Sequence, residues 1–336
     1  MLRLFTPFRL LAAAVVFAAA AAATWAVPSD SYIFLPHRTH AVAPLIKAEG
    51  GADPRGNGGF YYVDVLVREA TLVERLWPGL REGATVVPAD EVLPEGVSER
   101  QRRREELAEM RRSQRIAAAV ALRELGYDVK ADPVGARIEA VAADAPAEGR
   151  LETGDVIRAV DGGAITGPDE LRRAVRSAGT SRSVRLHVER GDDELDVSVR
   201  PTRGPEGAPI LGVIVSQAAD IELPIDVEID TGNVGGPSAG LAFALGLMEE
   251  LGRELDRGNR VAVTGSLELD GAVGPIGGMK QKTIAVNRAG FDVFVVPAGE
   301  NAAEARRHAD GIRIVPVRSF QQTLRALATL PVKPQD

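Results

Sequence analysis

The sequence contains no cysteine and only four histidines among its 336 residues. Without cysteine, disulfide bonds, thiol nucleophiles, iron–sulfur clusters and cysteine-ligated zinc are excluded. His37, His40, His187 and His308 leave little material for a histidine metal site or a histidine-based catalytic triad. The acidic residues form no cluster with the spacing of a metal site, so we predict neither a metal nor a cofactor.

Basic residues are outnumbered by acidic ones, 40 against 47, and the formal net charge is -7. Such a charge repels phosphate backbones, so we predict no nucleic-acid partner. The hydrophobic share of 45% and charged share of 26% are those of a globular protein. Because single cores stop growing near ~250–300 residues, the chain is predicted to form more than one folded unit.

One uncharged stretch, residues 10–27, is preceded by Arg3 and Arg9. Its length is at the threshold for crossing a bilayer, and the arginines place residues 1–9 in the cytoplasm. We therefore predict a single-pass signal anchor in the cell membrane, with the remaining chain outside the cytoplasm, where ATP is absent. The alternatives are a cleaved signal peptide, which would give a secreted protein, and a buried helix of a soluble protein.

Short strand patterns and one helix pattern follow one another between Gly135 and Pro201. Their order, the turn into the strand at 151–157 and the exit at 160–162 resemble a PDZ domain of the bacterial type, which we place at residues 131–204. Such domains bind a peptide C-terminus as an added strand. The resemblance implies a carboxylate-binding loop and a facing helix wall, formed by Val134, Gly135, Ala136 and Arg137 and by Leu171 and Val175, respectively. Alternatively, this block only spaces or orients the rest of the chain.

A glycine-rich turn at residues 231–240 contains Ser238 and precedes an apolar helix pattern. Glycines allow a sharp bend, and the free N–H groups and dipole of a helix start favour an anion there. These features are typical of an oxyanion hole beside a nucleophile. The alternative is that Ser238 only caps the helix, which is a common role of serine in this position.

Lysine is scarce: 35 of the 40 basic residues are arginine, yet two of the five lysines, Lys280 and Lys282, stand together at a glycine-rich helix start. Arginine does not release its proton, whereas a desolvated lysine can have its pKa lowered towards neutrality and act as a general base. The bias therefore indicates a lysine with a chemical role in this segment.

Three motifs occur in order: Gly236-Pro237-Ser238-Ala239-Gly240, Thr264-Gly265, and residues 274–282 with Ala289-Gly290 downstream. They resemble the proteolytic domain of Lon proteases, and the whole chain is similar to membrane-anchored, PDZ-containing Lon-like proteases. The resemblance implies that Ser238 is the nucleophile, that Lys282 is the general base, and that the Thr264 hydroxyl lies near the lysine amine. The alternative for Thr264 is an ordinary strand-end residue. We expect the oxyanion donors to be the N–H groups of Ser238 and of Gly235 or Gly236, since Pro237 has none.

The predicted fold class is α+β: a Lon-type proteolytic domain of mixed α/β structure, an inserted β-rich PDZ domain with one or two helices, and an N-terminal transmembrane helix. A helix is predicted at Gln101–Leu125. The strand at Phe60–Val67 and residues 110–119 of this helix resemble the opening strand and first helix of the proteolytic domain. We therefore predict that this domain is discontinuous. The predicted ranges are a linker at 28–56, proteolytic segments at 57–130 and 205–330, and the PDZ domain between them.

The pattern of a nucleotide-binding loop, G-x-x-x-x-G-K-[ST], is missing. We therefore predict an ATP-independent, membrane-tethered serine endopeptidase that acts on extracytoplasmic proteins or peptides, selected through their C-termini. The resemblance also implies a homo-oligomer, with a hexamer as the expected form. The alternatives are a non-catalytic PDZ scaffold and a chaperone-like membrane protein.

Overall fold

The computed structural model describes residues 27–51, 58–92, 99–191, 193–204 and 207–333, together with Val15 and Trp25. The predicted cytoplasmic segment 1–9 and all but three residues of the predicted span 10–27 lie outside these ranges. Among the residues described, no helix combines the length and the apolar character needed to cross a bilayer.

The strands are numbered in chain order. They are β1 (Pro28–Ala41), β2 (Ile46–Ala48), β3 (Gly59–Thr71), β4 (Thr85–Pro88), β5 (Lys130–Val141), β6 (Val156–Val160), β7 (Gly163–Ala164), β8 (Val184–Arg190), β9 (Asp193–Val199), β10 (Thr202–Arg203), β11 (Pro209–Ile210), β12 (Val213–Glu222), β13 (Val227–Ile229), β14 (Arg260–Val263), β15 (Ser266–Leu267), β16 (Val273–Gly274), β17 (Val293–Pro297) and β18 (Arg313–Val317).

The α-helices are numbered in the same way, and two 3-10 turns at Ala43–Leu45 and Pro78–Leu80 complete the regular structure of the described ranges. The helices are α1 (Leu72–Leu76), α2 (Ala89–Val92), α3 (Glu99–Glu124), α4 (Pro168–Ala178), α5 (Gly240–Glu250), α6 (Met279–Arg288), α7 (Glu300–His308) and α8 (Phe320–Leu327).

The chain divides into two compact units. Unit 1 combines residues 1–125 with residues 225–336, and unit 2 is the continuous segment 126–224 between them. The predicted limits at 130 and 204 differ from these boundaries. Residues 205–224, predicted to begin the second proteolytic segment, lie in unit 2, because β12 pairs along its length with β5, from Val213 opposite Val141 to Glu222 opposite Lys130.

A six-stranded sheet in the order β18-β17-β14-β3-β1-β4 organises unit 1. The two segments of the chain meet inside it, because β14 pairs in parallel with β3, with Val261 opposite Phe60. β17 and β18 continue the parallel side, whereas β1 and β4 are antiparallel to their neighbours. The sheet is therefore complete only when residues from both segments are present.

The predicted linker at 28–56 is wrong over most of its described length. Residues 28–41 form β1, which lies inside the sheet between β3 and β4, and residues 46–48 form β2, which pairs with β13. Tyr32 and Ile33 of β1 are almost fully buried. Two irregularities of register interrupt the strand, and they remove the simple alternation by which a strand is detected in a sequence.

Helix α5 is buried on nearly all sides, from Gly240 to Met248. Its sequence is apolar all round, which is the pattern of a helix inside a core. Helix α3, predicted at 101–125 and observed at 99–124, packs against α5 through its alanine-rich second half. On the other side of the sheet, Met279 and Val286 of α6 pack with Phe294 of β17. The core of unit 1 thus fixes the starts of α5 and α6.

Unit 2 contains a sheet with the path β12-β5-β6-β8-β9, with the short β7 paired to β6. Its core consists of fully buried aliphatic side chains of the sheet, against which Leu171 and Val175 of α4 pack. Helix α4 starts after Gly167 with Pro168 at its first position, where the missing N–H of proline costs nothing. The β12 strand is at the edge of this sheet.

Candidate active site

Ser238 lies in the turn between β13 and α5. Gly236 in this turn has φ +88°, a conformation that favours glycine. The N-cap of α5 is Ala239, and no side chain caps the helix. The hydroxyl of Ser238 is therefore not used as a helix cap, which was the alternative role suggested by its position in the sequence.

Hydrogen bonds from two sides hold this turn. From α3, the buried Ser113 Oγ donates to Pro237 O at 3.1 Å. From the segment after β14, Gly265 N at 2.9 Å and Thr264 Oγ1 at 3.1 Å both donate to Ser238 O. These three bonds fix the backbone around Ser238, so the position of its hydroxyl is set by helix α3 and the end of β14.

Lys282 lies on the first turn of α6. The N-cap is Gly278 in a left-handed conformation with φ +69°, where an added Cβ would lie 2.9 Å from Val65 Cγ2. This close approach of the helix start to β3 places Lys282 in the core, with 3% of its surface exposed. Its Nζ donates to Ser238 Oγ at 2.7 Å and to Thr264 Oγ1 at 3.0 Å. The structure thus brings together the three side chains that the motifs had marked.

Burial lowers the pKa of Lys282 from 10.5 to about 7, and the negative charge of Asp64 opposes this shift. Desolvation disfavours the ammonium form because the charge loses its hydration in the core. A substantial fraction of the amine is consequently neutral at neutral pH. In that form, Nζ can accept a proton from the serine hydroxyl 2.7 Å away.

A group whose folded pKa lies below its unfolded value weakens the fold at low pH. For Lys282 this penalty is fully present below about pH 7 and disappears as the pH rises towards 10.5. We expect Lys282→Met to raise the free energy of unfolding by about 1–3 kcal/mol at pH 6.5 and by less at pH 9.5. Urea unfolding followed by tryptophan fluorescence measures this in unit 1, because both tryptophans, Trp25 and Trp77, belong to it.

The control for this experiment is Lys280→Met on the same helix. Lys280 is half-buried and its Nζ donates to Ala84 O at 3.1 Å, so its loss removes a hydrogen bond without relieving a fully buried amine. It should therefore not stabilise unit 1. A destabilised Lys282→Met protein, or a gain in stability that is the same at both pH values, would contradict the desolvation argument.

The structure distinguishes the two glycines that were alternatives for the second oxyanion donor. The N–H of Gly236 donates to Glu106 O at 2.9 Å, so it is engaged by helix α3 and does not face the serine. The turn lies close to that helix, and a Cβ added to Gly235 would be 2.8 Å from Glu106 Cβ. Neither Gly235 N nor Ser238 N donates to a residue within the described ranges. These two N–H groups remain the candidates for stabilising an oxyanion.

A cavity of about 470 Å³ opens above Ser238 and Lys282. One wall is the segment Val63–Val67 of β3, and helix α3 contributes Arg102, Arg103 and Glu106 to another. The pairing of β14 with β3 ends at Tyr62, and no other described strand pairs with β3 on that side. The edge of β3 that follows is therefore open along the cavity.

The predicted carboxylate-binding loop of unit 2 is wrong. Val134, Gly135, Ala136 and Arg137 lie within β5, which is paired on both sides: Ala136 is opposite Gln217 of β12 and Ile157 of β6. A Cβ on Gly135 would lie 2.3 Å from Ile157 O. The glycine therefore serves a close approach of two strands and not a loop.

The predicted helix wall does border a cavity. Leu171 and Val175 are 3% and 5% exposed and line a cavity of about 560 Å³ between α4 and residues 208–215. The second wall is thus β12 with the loop before it, where Gly212 has φ +80°. Sequence reasoning missed these residues because the apolar run from Ile210 was assigned to the next domain. The signal available in the sequence was Gly212, which directly precedes the β-branched residues at the start of β12.

Residues 215–328 match the Lon protease (S16) C-terminal proteolytic domain, and residues 113–200 match the PDZ domain. The first match begins in β12 and the second in α3, so neither coincides with a unit of the fold.

Among curated relatives, Lon protease 2 of Bacillus subtilis is 35% identical over 111 residues, which are 33% of this chain and 19% of that protein. The Lon protease of Chloroflexus aggregans is 33% identical over 172 residues, 42% of this chain and 20% of that protein. The chain thus spans about a fifth of the length of these relatives.

A solved structure, the PDZ domain of the SdrC-like protein from Listeria monocytogenes, is 25% identical and covers 24% of this chain and 87% of its own, with a TM-score of 0.24. The family matches correspond to the two domains that the motifs predicted. The chain contains a Lon-type proteolytic domain and a PDZ domain in a mixed α+β fold.

Proposed function

We propose that the protein is a serine endopeptidase that hydrolyses peptide bonds with a Ser238–Lys282 dyad and without ATP. The observation that carries this proposal is the 2.7 Å contact between Lys282 Nζ and Ser238 Oγ, made by an amine whose pKa burial lowers to about 7. The relatedness to Lon proteolytic domains supports the same chemistry.

In the first half of the reaction, neutral Lys282 takes the hydroxyl proton of Ser238 while Oγ attacks the peptide carbonyl carbon. The N–H groups of Ser238 and Gly235 stabilise the oxyanion. The ammonium then returns its proton to the leaving amine, and an acyl-enzyme remains. In the second half, Lys282 takes a proton from water, the hydroxide attacks the ester, and the proton returns to Oγ.

Thr264 forms hydrogen bonds with both residues of the dyad. Its hydroxyl accepts from Lys282 Nζ and donates to Ser238 O. Because Nζ is held by two oxygens, its remaining freedom is small, and the lone pair of the neutral amine stays near the serine. Thr264 is thus a positioning residue in this proposal.

An extended substrate fits the open edge of β3. Backbone groups of Val63–Val67 border the cavity, and a peptide laid along them gains strand-like hydrogen bonds that do not depend on its sequence. Since no nucleotide-binding loop is present in the sequence, substrates would have to enter as flexible segments. Disordered tails and loops are therefore the proposed substrate class.

Purified protein incubated with an intrinsically disordered protein tests this proposal. We expect new N-termini, detected by mass spectrometry, at the same rate with and without ATP and Mg²⁺.

The tethering of the chain to a membrane through residues 10–27, and hence action on extracytoplasmic proteins, is part of the proposal. Fractionation of cells and protease accessibility of the intact chain test it separately.

The edge of β12 is proposed to bind the C-terminus of a substrate. It faces helix α4 across the 560 Å³ cavity, whose lining includes Arg172 and Arg176. A peptide added to this edge strand would carry its carboxylate to the loop before Val213. This arrangement raises the local concentration of chosen substrates.

Fluorescence anisotropy with a pair of peptides measures this binding. We expect a peptide ending in an apolar residue with a free carboxylate to bind the full chain at least ~10-fold more tightly than the same peptide with a C-terminal amide, since the charge is lost. Using the Ser238→Ala protein keeps both peptides intact. Equal affinity for the two peptides would contradict recognition of the C-terminus.

A further inference from the structure

Three side chains that the dyad mechanism does not use meet on the wall of the active-site cavity. His37 Nδ1 lies 2.9 Å from both carboxylate oxygens of Asp64, and His40 Nε2 lies 3.0 Å from Oδ2. His37 and Asp64 border the same cavity as Ser238 and Lys282. We call these three residues the His-His-Asp cluster.

An irregularity in β1 explains how both histidines reach one carboxylate. In a regular strand, residues three positions apart point to opposite faces of the sheet. Here the register moves from Pro36 opposite Val65 to Thr39 opposite Val63, so β1 advances three residues while β3 advances two. This extra residue is a β-bulge, a feature that re-aims side chains and is frequent near active sites.

The surroundings orient each member of the His-His-Asp cluster. The N–H of Arg38 donates to Asp64 Oδ1 at 2.9 Å. The imidazole of His40 is stacked on Tyr62, with ring centroids 4.9 Å apart and planes 16° from parallel. The side chains of His37, His40 and Asp64 are 36%, 31% and 16% exposed, so the cluster is ordered and yet open to solvent.

We propose that the His-His-Asp cluster is a binding site for a divalent transition metal, with Zn²⁺ as the best fit. The ligands are His37 Nδ1, His40 Nε2 and a carboxylate oxygen of Asp64. Two imidazole nitrogens with one carboxylate select zinc or a similar metal over calcium and magnesium, which prefer oxygen ligands.

The geometry needs only a small adjustment. The ligand atoms all lie within 4.8 Å of one another. A tetrahedral zinc with bonds near ~2.0–2.1 Å separates its ligands by roughly 3.3 Å, slightly more than the present contacts to Asp64. Rotation of exposed imidazoles supplies this difference. Three protein ligands leave the fourth position for water or for a substrate atom.

The position of the site predicts its effect, and this part rests on the proposed function. Asp64 lies within Val63–Val67, the segment along which the extended substrate is proposed to lie. A metal ion with its bound water at this wall narrows the cavity in which the substrate is proposed to lie. Zinc is therefore expected to inhibit peptide hydrolysis, as a regulator and not as a cofactor.

Direct binding is measured with chelator-treated full-length protein, using zinc in equilibrium dialysis and Co²⁺ as a visible-spectrum probe. We expect about one zinc per chain and the spectrum of tetrahedral cobalt. The double variant His37→Gln/His40→Gln should lose affinity by at least ~10–100-fold, with its fold checked by circular dichroism. The control is His187→Gln, because His187 also lies near two carboxylates, Asp196 and Glu194, but on unit 2.

Absence of stoichiometric zinc in the wild type, or equal binding by the double variant, would overturn the proposal. Ser238→Ala protein is expected to bind zinc as the wild type does, because Ser238 is not a ligand. This measurement is independent of hydrolysis. A protein that binds zinc at the cluster but cleaves nothing would thus reject the proposed function and keep the metal site.

Discussion

Replacement of Ser238 by alanine is expected to lower the rate of peptide hydrolysis by a factor of roughly 10⁴ or more. The hydroxyl is the only proposed nucleophile, and its oxygen lies 2.7 Å from Lys282 Nζ. Lys282→Ala should have an effect of similar size, because the hydroxyl then loses its base. The double variant should be no worse than either single variant, since the two groups act as one unit. Initial rates on a quenched-fluorescence peptide, taken from the cleavage sites of the disordered substrate, measure all three proteins.

Matched controls stand close to both residues. Ser266→Ala removes a hydroxyl two residues from Thr264. Lys280→Ala removes an amine from the first turn of α6, the turn that also holds Lys282, without touching the dyad. Both should retain most of the activity. A Ser238→Ala protein that is folded and still cleaves at an appreciable rate would show that another group is the nucleophile. Inactivity of the wild type itself, in folded and assembled form, would favour the scaffold alternative.

The second large effect is expected in the pH dependence of kcat/KM. Only neutral Lys282 accepts the serine proton, and burial lowers its pKa to about 7. Below pH 7 the ammonium predominates, so kcat/KM should fall about tenfold for each pH unit. Above pH 8 the rate should reach a plateau. An unshifted lysine would instead make the rate rise up to about pH 10.

The titration of Lys282 can also be observed directly. The sequence has only five lysines, so protein with isotope-labelled lysine gives a simple NMR spectrum, and the Lys282→Met protein identifies the signal of interest. We expect this one amine to titrate near pH 7 in the folded protein. If kcat/KM falls at low pH without a matching lysine transition, the fall belongs to another group.

The sequence was informative about the dyad because the signals were local. A glycine-rich segment precedes each of the two helices: the turn before α5, and the segment that ends at Gly278, shortly before Lys282 in the sequence. Each segment marks a helix start, and a helix start fixes the direction of its first side chains. The structure then brings Ser238 and Lys282, 44 positions apart, into contact. The sequence also shows two lysines in this segment, although most basic residues of the chain are arginine.

Features that depend on contacts with distant parts of the chain could not be predicted from the sequence. The sequence left Gly235 and Gly236 as alternative oxyanion donors, because it does not show that Glu106 of helix α3 accepts the N–H of Gly236. Gly135 was interpreted as part of a loop, although its lack of a side chain serves the contact with Ile157. The two histidines of β1 looked unrelated, because the bulge that turns both towards Asp64 exists only in the pairing with β3.

The division of unit 1 into two segments has a consequence for protein synthesis. Unit 2 is continuous and has both ends on adjacent paired strands, so it can fold as soon as it leaves the ribosome. Strand β3 cannot pair with β14 until β14 has been synthesised. Likewise, Ser113 cannot donate to Pro237 O until Pro237, 124 positions later, has been synthesised. Contacts of such separation form slowly. A nascent chain therefore cannot bring Ser238 and Lys282 into contact until translation has passed Lys282.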